Sequence, residues 1–400
     1  MQTALQRNPE VQARASRVAA IAERVPQVTA LPDPMLADTF WPISGNAPQT
    51  AMGRGTNELM LAQRFPWCGK LRLRGLVAET DTQIALTELA ATQLKVIEEV
   101  KATYYEIYFY QQAIDITEHD EKLLGDFVKF AEARYKVGQS SQQDVLRAQV
   151  EVQKVKDQLI RLQRDLREAQ ADLGRLLSIP PETDLRAADG PGSASVPEEL
   201  EQLYQLALET RPELQGRMQA VLRDRQLIDL AHLEYYPDVS VGVTWGTTTT
   251  AAAMAPTANG NDMVGFTFGV NLPIWRRKLN AGVREAENRT NESARIFDAT
   301  RDDTFRQIRR LTVQAHALEQ QVALYRDDII PKAEQTLKTS SADYRVGKVD
   351  MLTLLDNWSE LLRFQVQLVR LEASLAQVLA SLERVVGTEL TRLPQSVETE

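Results

Sequence analysis

The chain has 400 residues, of which 43% are hydrophobic and 25% charged, a balance that is typical of proteins with a substantial core. Its formal net charge of −9 argues against a nucleic-acid partner, which would require a clustered basic surface. No apolar run approaches the ~20 residues that a membrane-spanning helix requires, so any membrane contact must be peripheral or made by strands.

The first half of the chain is predicted to contain a helix, two short strands and two long helices, in that order. The strands are expected near 35–41 and 59–65, and GRGTNE, which begins at Gly53, is interpreted as a loop. From residue 70 to about 137 only two glycines interrupt the helix-forming sequence, which predicts one helix of ~65 residues and roughly 100 Å. A partner helix is predicted at about 142–177, where apolar residues recur at helical spacing.

The second half repeats this order of elements. After another helix, strands are predicted near 239–246 and 264–274, where apolar residues alternate with Gly, Ser, Thr and Asn. Long helices are predicted at about 276–345 and 349–386.

The two halves resemble each other closely enough to indicate a tandem duplication. Four landmarks recur in the same order, and their offset drifts from 203 to 209 residues. These landmarks are the pairs Pro9 and Pro212, Pro32 and Pro237, Pro66 and Pro273, and Tyr135 and Tyr344. The predicted organisation is therefore a first repeat at 1–186, a linker at 187–200, a second repeat at 201–390 and a C-terminal tail at 391–400.

The alternation in the strands favours a wall between lipid and water. Transmembrane strands carry apolar side chains outward and small or polar ones toward the lumen, and they must close into a barrel because lipid satisfies no open edge. Four strands cannot close alone, whereas three copies would supply twelve strands, and the long helices would then form a second tube. The residues expected to face lipid are Val241, Val243, Phe266, Phe268 and Val270.

These features resemble those of the TolC-like outer-membrane factor family over essentially the whole chain. The resemblance is carried by the segments NPEVQ and RPELQ, RFPWCGKLRLRG and LPIWRRKLNAG, and YKVGQSSQQDVL and YRVGKVDMLTLLD. It implies a mainly helical protein with a small β part, which trimerises into a 12-stranded β-barrel in the outer membrane. A 12-helix α-barrel would continue that β-barrel through the periplasm.

The resemblance also implies a function and partners. The protein would be the exit duct of a tripartite efflux pump or a type I secretion-like system, and it would passively conduct substrates from the periplasm to the exterior. Its partners would be two further copies, outer-membrane lipid, a periplasmic adaptor and an inner-membrane pump of the RND type.

The turns between the long helices are the predicted periplasmic tip. Glycine in each turn ends the preceding helix, which a plain helical hairpin would also require. The resemblance implies that adaptors dock at Tyr135, Val137, Gly138, Arg345, Val346, Gly347 and Lys348.

Three further residues are candidates for a gate at this tip. The resemblance places Asp144 and Tyr344 at positions that are linked when the tip is closed, and Asp356 in an acidic ring at the constriction. An ordinary solvated helix position is the alternative for both aspartates.

Pro331 is a candidate hinge within the first long helix of the second half, which is predicted at about 276–345. Proline removes a backbone hydrogen bond and bends a helix, so the segment that follows could swing when the tip opens. A fixed kink that only shapes the tunnel is the alternative.

The sequence shows no pattern that indicates an enzyme, a cofactor or a metal site. The three histidines lie in separate helical segments without paired ligands, and no nucleophile elbow, P-loop or dinucleotide fingerprint is found. A soluble periplasmic coiled-coil scaffold or an adaptor protein remains the alternative reading, and membrane fractionation would distinguish it from a duct.

Overall fold

The computed structural model of the chain describes residues 1–42, 46–188, 190, 199–251 and 253–390. Most of the predicted linker and the whole predicted tail lie outside these residues. The chain divides into two compact units, and each takes segments from both halves of the sequence. The first unit contains Met1–Ala15, Glu88–Gln215 and the chain from Thr300, and the second contains Ser16–Thr87 and Gly216–Ala299.

The first half begins with three short helices where a single helix was predicted. They are α1 (Gln2–Arg7), α2 (Pro9–Ala22) and α3 (Arg24–Thr29). The break between α1 and α2 has a local cause, because the Asn8 carboxamide oxygen accepts a hydrogen bond from the Glu10 amide at 2.9 Å. Such a cap followed by proline is a strong start signal for a new helix.

Two long helices follow at the predicted positions, the first expected from its uninterrupted helix-forming sequence and the second from its apolar spacing. Helix α4 (Lys70–Lys136) has 67 residues, and α5 (Gln142–Leu177) has 36. A left-handed residue, Ser178, ends α5, and its amide bonds back to the Arg175 carbonyl. In proteins, most of the stability of a helix comes from packing against other elements, so the apolar contacts of these helices matter more than their helix propensity.

The second half contains α6 (Leu200–Thr210), α7 (Pro212–Leu233), α8 (Arg276–Leu324), α9 (Ile330–Arg345) and α10 (Met351–Val386). The segment predicted as one helix at about 276–345 is helical throughout, but a π-helical turn within it separates α8 from α9. A proline near the start of α9 has no N–H group to donate to the preceding turn, and the wider turn lies directly before it.

The β part is one antiparallel sheet with the strand order β1-β3-β4-β5, and β2 pairs with the start of β3. The strands are β1 (Met35–Phe40), β2 (Gln49–Thr50), β3 (Gly53–Phe65), β4 (Val239–Thr249) and β5 (Met263–Val270).

Two of the predicted strand boundaries are wrong. The segment at Gly53 is strand and not loop, because it pairs with the extended end of β4 at Thr249. Strand β5 ends at Val270 and not at Ile274, because its pairing with β4 stops where β4 begins, at Val239.

The first unit is stabilised by apolar contacts between its long helices. Its largest buried cluster combines side chains of α4, α5, α9 and α10, including Leu124, Ala148, Leu337 and Leu354. A fully buried leucine stabilises the folded state by about 1.5–3 kcal/mol. The pairing of α4 and α5 with α9 and α10 therefore rests mainly on the apolar stripes that predict the helices.

In the second unit, a buried ion pair connects the start of α4 to the segment before β4. Lys70 Nζ lies 2.9 Å from Asp238 Oδ1, and these side chains are only 1% and 7% exposed. Arg64 also contacts the Asp238 carboxylate at 2.5 Å, and the Trp67 amide donates to it at 3.0 Å. The carboxylate therefore joins residues from both halves of the chain at the base of the sheet.

The pKa of Asp238, which lies just outside β4, is lowered by these contacts. Burial alone raises the pKa, but hydrogen bonds from Lys70, the Trp67 amide and Arg64 outweigh burial and lower the pKa from 3.8 to about 2. Because the pKa is lower in the folded state, the contribution to stability is complete above about pH 4 and is lost as the pH falls through about 2.

We therefore predict that Asp238→Asn lowers the free energy of unfolding at neutral pH by about 2 kcal/mol. Thermal unfolding of the detergent-solubilised proteins should be recorded between pH 2 and pH 7. The difference in stability between the wild type and Asp238→Asn should become smaller as the pH approaches 2. The exposed Asp229 of α7 offers a matched control, and Asp229→Asn should leave the profile unchanged. If Asp238→Asn were less stable than the wild type by the same amount at every pH, the charge of Asp238 would not contribute to stability.

Candidate functional site

One face of the sheet is apolar and exposed across three neighbouring strands. Val241 of β4 lies opposite Phe268 of β5, and Val243 lies opposite Phe266. On its other side Val243 pairs with Leu61 of β3, so the apolar row continues. The side chains of Phe266 and Phe268 are 73% and 75% exposed.

The opposite face of the same strands consists of small and polar residues. Gly242 lies opposite Thr267, and Thr244 lies opposite Gly265. The predicted lipid-facing residues Val241, Val243, Phe266, Phe268 and Val270 therefore share the apolar face, and all but the half-buried Val241 are exposed. An exposed apolar surface of this extent indicates contact with lipid or protein rather than with water.

Charge on the apolar face should be more harmful than charge on the opposite face. We predict that Phe268→Arg costs ~2–4 kcal/mol if this face lies in lipid near the middle of the membrane, and that it reduces the assembled protein in the membrane. The adjacent Thr267→Arg is the matched control, because its side chain points the other way and should be tolerated. Membrane fractionation with quantitative immunoblotting measures both, and equal yields would show that the faces are wrongly assigned.

The two turns between the long helices have the same backbone geometry. Gly138 and Gly347 have φ angles of 74° and 78°, in the left-handed region that favours glycine. The residue after each glycine donates its amide to a carbonyl five residues earlier: Gln139 to Arg134 at 2.9 Å, and Lys348 to Asp343 at 2.9 Å. Both helices therefore end as the repeated YKVG and YRVG motifs predict.

The surfaces of the two turns are not equivalent. Val137 and Val346 are both exposed, and so are Arg345 and Lys348. In contrast, Tyr135 is 48% exposed while its repeat counterpart Tyr344 is only 4% exposed. The exposed residues remain candidates for adaptor docking, whereas Tyr344 belongs to the core.

Within one chain, Asp144 and Tyr344 do not form a hydrogen bond with each other. The Asp144 carboxylate instead accepts from the Ser140 hydroxyl at 2.9 Å and the Ser141 amide at 3.2 Å, which forms a capping box at the start of α5. The Tyr344 hydroxyl is buried without a hydrogen-bond partner among the described residues. Ser141 has a functional equivalent in Asp350, which caps α10 by accepting from the Thr353 amide at 3.0 Å.

The burial of Tyr344 raises the pKa of its hydroxyl. Desolvation is the main cause, and the nearby Asp144 carboxylate acts in the same direction. Ser140 and Arg134 lower the pKa, but they do not offset burial. The Tyr344 side chain is therefore a neutral packing group at physiological pH.

Arg134 connects the two helical hairpins, a contact that the sequence did not predict. Its guanidinium donates to the carbonyl of Tyr344 and to the carbonyl of Gln139, the latter at 3.2 Å, and lies 4.8 Å from the centre of the Tyr344 ring. A reciprocal contact places the Arg345 guanidinium 5.1 Å from the centre of the Phe130 ring. A basic residue in the last helical turn beside free carbonyls was the available signal.

Removing Arg134 should therefore loosen the turns, whereas removing the Tyr344 hydroxyl should not. A hydrogen bond from a charged donor contributes ~1.5–3 kcal/mol, so Arg134→Ala is predicted to accelerate amide exchange at both turns by about 10–100-fold. Tyr344→Phe and the exposed Lys136→Ala should leave exchange unchanged, as measured by hydrogen–deuterium exchange mass spectrometry. Faster exchange in Tyr344→Phe would restore a bonding role for the hydroxyl.

The pore role of Asp356 and the hinge role of Pro331 stay predictions. Asp356 is exposed on α10, on the side away from the buried Leu354 and Trp358, which is compatible with a position on the lumen. Pro331 is the second residue of α9 and directly follows the π-helical turn (Tyr325–Ile329). The irregular backbone therefore extends the candidate hinge over 325–331.

Within the described residues, no group of three or more His, Cys, Asp or Glu side chains is arranged to hold a metal ion. No described helix is both long enough and apolar enough to cross a membrane.

The model of the outer membrane efflux protein family matches this chain twice, at residues 1–178 and 203–388. The chain belongs to the outer membrane efflux protein family. The two matched segments correspond to the two halves that the sequence repeat relates, and the family predicted from the motifs is thereby confirmed.

Individual relatives are distant in sequence but similar in fold. Outer membrane efflux protein BepC of Brucella suis biovar 1 (strain 1330) is 22% identical over 307 residues, which span 75% of this chain and 65% of BepC. The structure of CusC, which is described as forming a transmembrane channel, has a TM-score of 0.81 at 17% identity and covers 97% of this chain and 91% of its own. The structure of VceC, an outer membrane protein of Vibrio cholerae, has a TM-score of 0.77 at 20% identity. The match covers 97% of this chain and 95% of VceC.

These similarities confirm a mainly helical fold with a small β part, which this chain shares with CusC and VceC. At such identities they establish the fold alone.

Proposed function

We propose that the chain is one protomer of a homotrimeric exit duct in the outer membrane, which passively conducts substrates from the periplasm to the exterior. Membership of the outer membrane efflux protein family supports this role. The proposal includes two structural repeats, at 1–186 and 201–390, joined by a linker at 187–200. The equivalent turns at Gly138 and Gly347 support that division.

The observation that carries the proposal is an open-edged sheet with one exposed apolar face. Strands β1 and β5 have no outer partner strand in the described part of the chain. In water, the exposed Phe266 and Phe268 would be unfavourable, and in lipid the unpaired backbone groups of β1 and β5 would each cost several kcal/mol. Both problems disappear when three copies close their four long strands into a barrel of twelve.

The long helices provide the rest of the proposed duct. Twelve long helices from three copies would line a tunnel through the periplasm, and the turns at Val137 and Val346 would form its tip. These exposed valines, with Arg345 and Lys348 beside them, are suited to contact a periplasmic adaptor. The adaptor would connect the duct to an inner-membrane pump of the RND type, which supplies the energy.

A soluble coiled-coil scaffold or an adaptor protein is the competing function. A soluble scaffold has no use for a row of exposed Val and Phe side chains on a sheet, which therefore favours the duct. Fractionation separates the two proposals, because a duct sediments with the outer membrane and migrates as a heat-sensitive trimer, whereas a scaffold stays in the soluble fraction as the monomer.

Single-channel recording in planar bilayers tests conduction directly. The reconstituted protein should conduct, and Asp356→Ala should lower its cation selectivity, because threefold symmetry turns each lumen-facing carboxylate into a ring of three charges in a narrow opening. Absence of any conductance in the wild type would contradict the duct. Unchanged selectivity in Asp356→Ala would place this side chain away from the lumen without affecting the rest of the proposal.

The same recordings examine Pro331. If the π-helical turn and Pro331 form a hinge, Pro331→Ala restores the missing amide and should alter the opening frequency. Identical gating in the variant would leave the proline as a fixed kink.

A further inference from the structure

The two halves of the sequence meet in the sheet at one pair of strands, which we call a seam. The repeat predicts a second seam of the same kind between two copies of the chain. Within the copy, the halves of the sequence meet where β3, the last strand of the first half, pairs with β4, the first strand of the second half. The equivalent strands are β5, the last strand of the second half, and β1, the first strand of the first half. These two strands do not pair within the copy, because they lie at opposite edges of the sheet. In the proposed trimer, on which this inference rests, β5 of one copy would meet β1 of the next.

The existing seam ends in the buried Lys70–Asp238 pair at the base of the sheet. The lysine is positioned by a tight turn at the start of α4, in which its amide donates to the Trp67 carbonyl at 3.1 Å. The aspartate is positioned by Pro237, directly before β4. Both charges are almost fully removed from water, so each requires the other.

The lysine and its turn recur at the start of α8. The Lys278 amide donates to the Trp275 carbonyl at 3.0 Å, and Trp275 and Lys278 correspond to Trp67 and Lys70 at an offset of 208 residues. However, Lys278 is exposed and has no ion pair among the described residues. The second half thus repeats the lysine without its partner.

The aspartate recurs before β1. The pair Pro32–Asp33 precedes β1 as Pro237–Asp238 precedes β4, at the offset of 205 residues that relates the two prolines. Asp33 is also exposed, and no ion pair involves it in the part of the chain that the structure describes. The two unpaired charges therefore lie beside the two open edges of the sheet.

We propose that Lys278 of each copy forms an ion pair with Asp33 of the neighbouring copy, at the base of a seam between β5 and β1. This pair repeats between copies the contact that Lys70 and Asp238 make within one copy. The pair favours contact between β5 of one copy and β1 of the next, because a lysine lies beside β5 and an aspartate lies beside β1.

The strand register supports the same arrangement. In the existing seam, Ala62 lies opposite Gly242 and Gln63 lies opposite Val241. The repeat offsets convert these pairs into Gly269 opposite Ala37 of the neighbouring copy, and Val270 opposite its Leu36. Small residues thus again oppose each other on the polar face, and Val270 and Leu36 extend the apolar face.

The large side chains beside the existing Lys70–Asp238 pair also have repeat counterparts beside Lys278 and Asp33. The Trp67 ring stacks on Tyr236 within the copy, with 5.2 Å between ring centres. Their repeat counterparts are Trp275 and Leu31, and both are exposed in the single copy. Contact between Trp275 and Leu31 of the neighbouring copy would place apolar side chains beside the proposed ion pair, as Trp67 and Tyr236 lie beside the existing one.

Cross-linking tests the pairing directly. In a background with Cys68, the only cysteine of the chain, replaced by alanine, Asp33→Cys and Lys278→Cys are combined and treated with a short bismaleimide. Because each site then occurs once per copy, linkage between copies gives dimer and trimer bands under denaturing conditions. Asp33→Cys combined with Arg277→Cys, one residue away on α8, is the matched control and should link far less.

Charge reversal provides a second measurement that does not require cysteines. Lys278→Glu and Asp33→Lys are each expected to lose most of the trimer band on unheated gels, because each places like charges at the seam. The double variant Lys278→Glu with Asp33→Lys should regain it, which a misfolded protomer would not do.

The outcomes separate this inference from the proposed function. A wild-type protein that glutaraldehyde never links beyond the monomer would overturn the trimer itself, and the ion pair with it. A wild-type trimer in which the 33–278 cysteine pair links no better than its control, or in which the double charge reversal fails to restore assembly, would overturn the ion pair and leave the duct intact.

Discussion

The structure of this protein depends on the hydrogen-bonding requirement of a sheet with two open edges. Strands β1 and β5 leave backbone amides and carbonyls without an outer partner in the described chain, and the apolar face that includes Phe266 and Phe268 is exposed. Each property alone has ordinary solutions in a soluble protein, such as a charged edge or a covering helix. Together they favour closure with further copies in lipid, because closure satisfies the edges while lipid covers the face.

The duplication explains how one chain can supply this geometry. Its halves repeat the strand-to-helix junction at Lys70 and Lys278 and the helical turn at Gly138 and Gly347 with closely similar backbone bonding. At these two places, the repeats differ in their side chains and in the partners of those side chains. Lys70 is buried with Asp238 while Lys278 is exposed, and in the proposed trimer this deviation from symmetry lies where neighbouring copies would meet.

At the hairpin turns, the hydrogen bonds within one chain differ from the link that the family resemblance implies for the closed tip. Asp144 lies at the turn, as the motif indicated, but its carboxylate is used locally as the cap of α5. The contact between the hairpins is made instead by Arg134, whose guanidinium meets the carbonyl end of α9 at Tyr344. A capping box involves neighbours three residues apart and is readable from sequence, whereas the approach of Arg134 to Tyr344 joins residues from opposite halves of the chain.

The sequence by itself determined the family, the mainly helical class and the bounds of α5 (Gln142–Leu177), because these depend on local periodicity, caps and repeated motifs. Only the tertiary structure decided where β5 ends, that the segment at Gly53 is a strand, and that Asp238 neutralises Lys70. Strand ends and buried ion pairs depend on what lies opposite in space. A partner about 170 residues away along the chain leaves no local signal in the pattern of either residue.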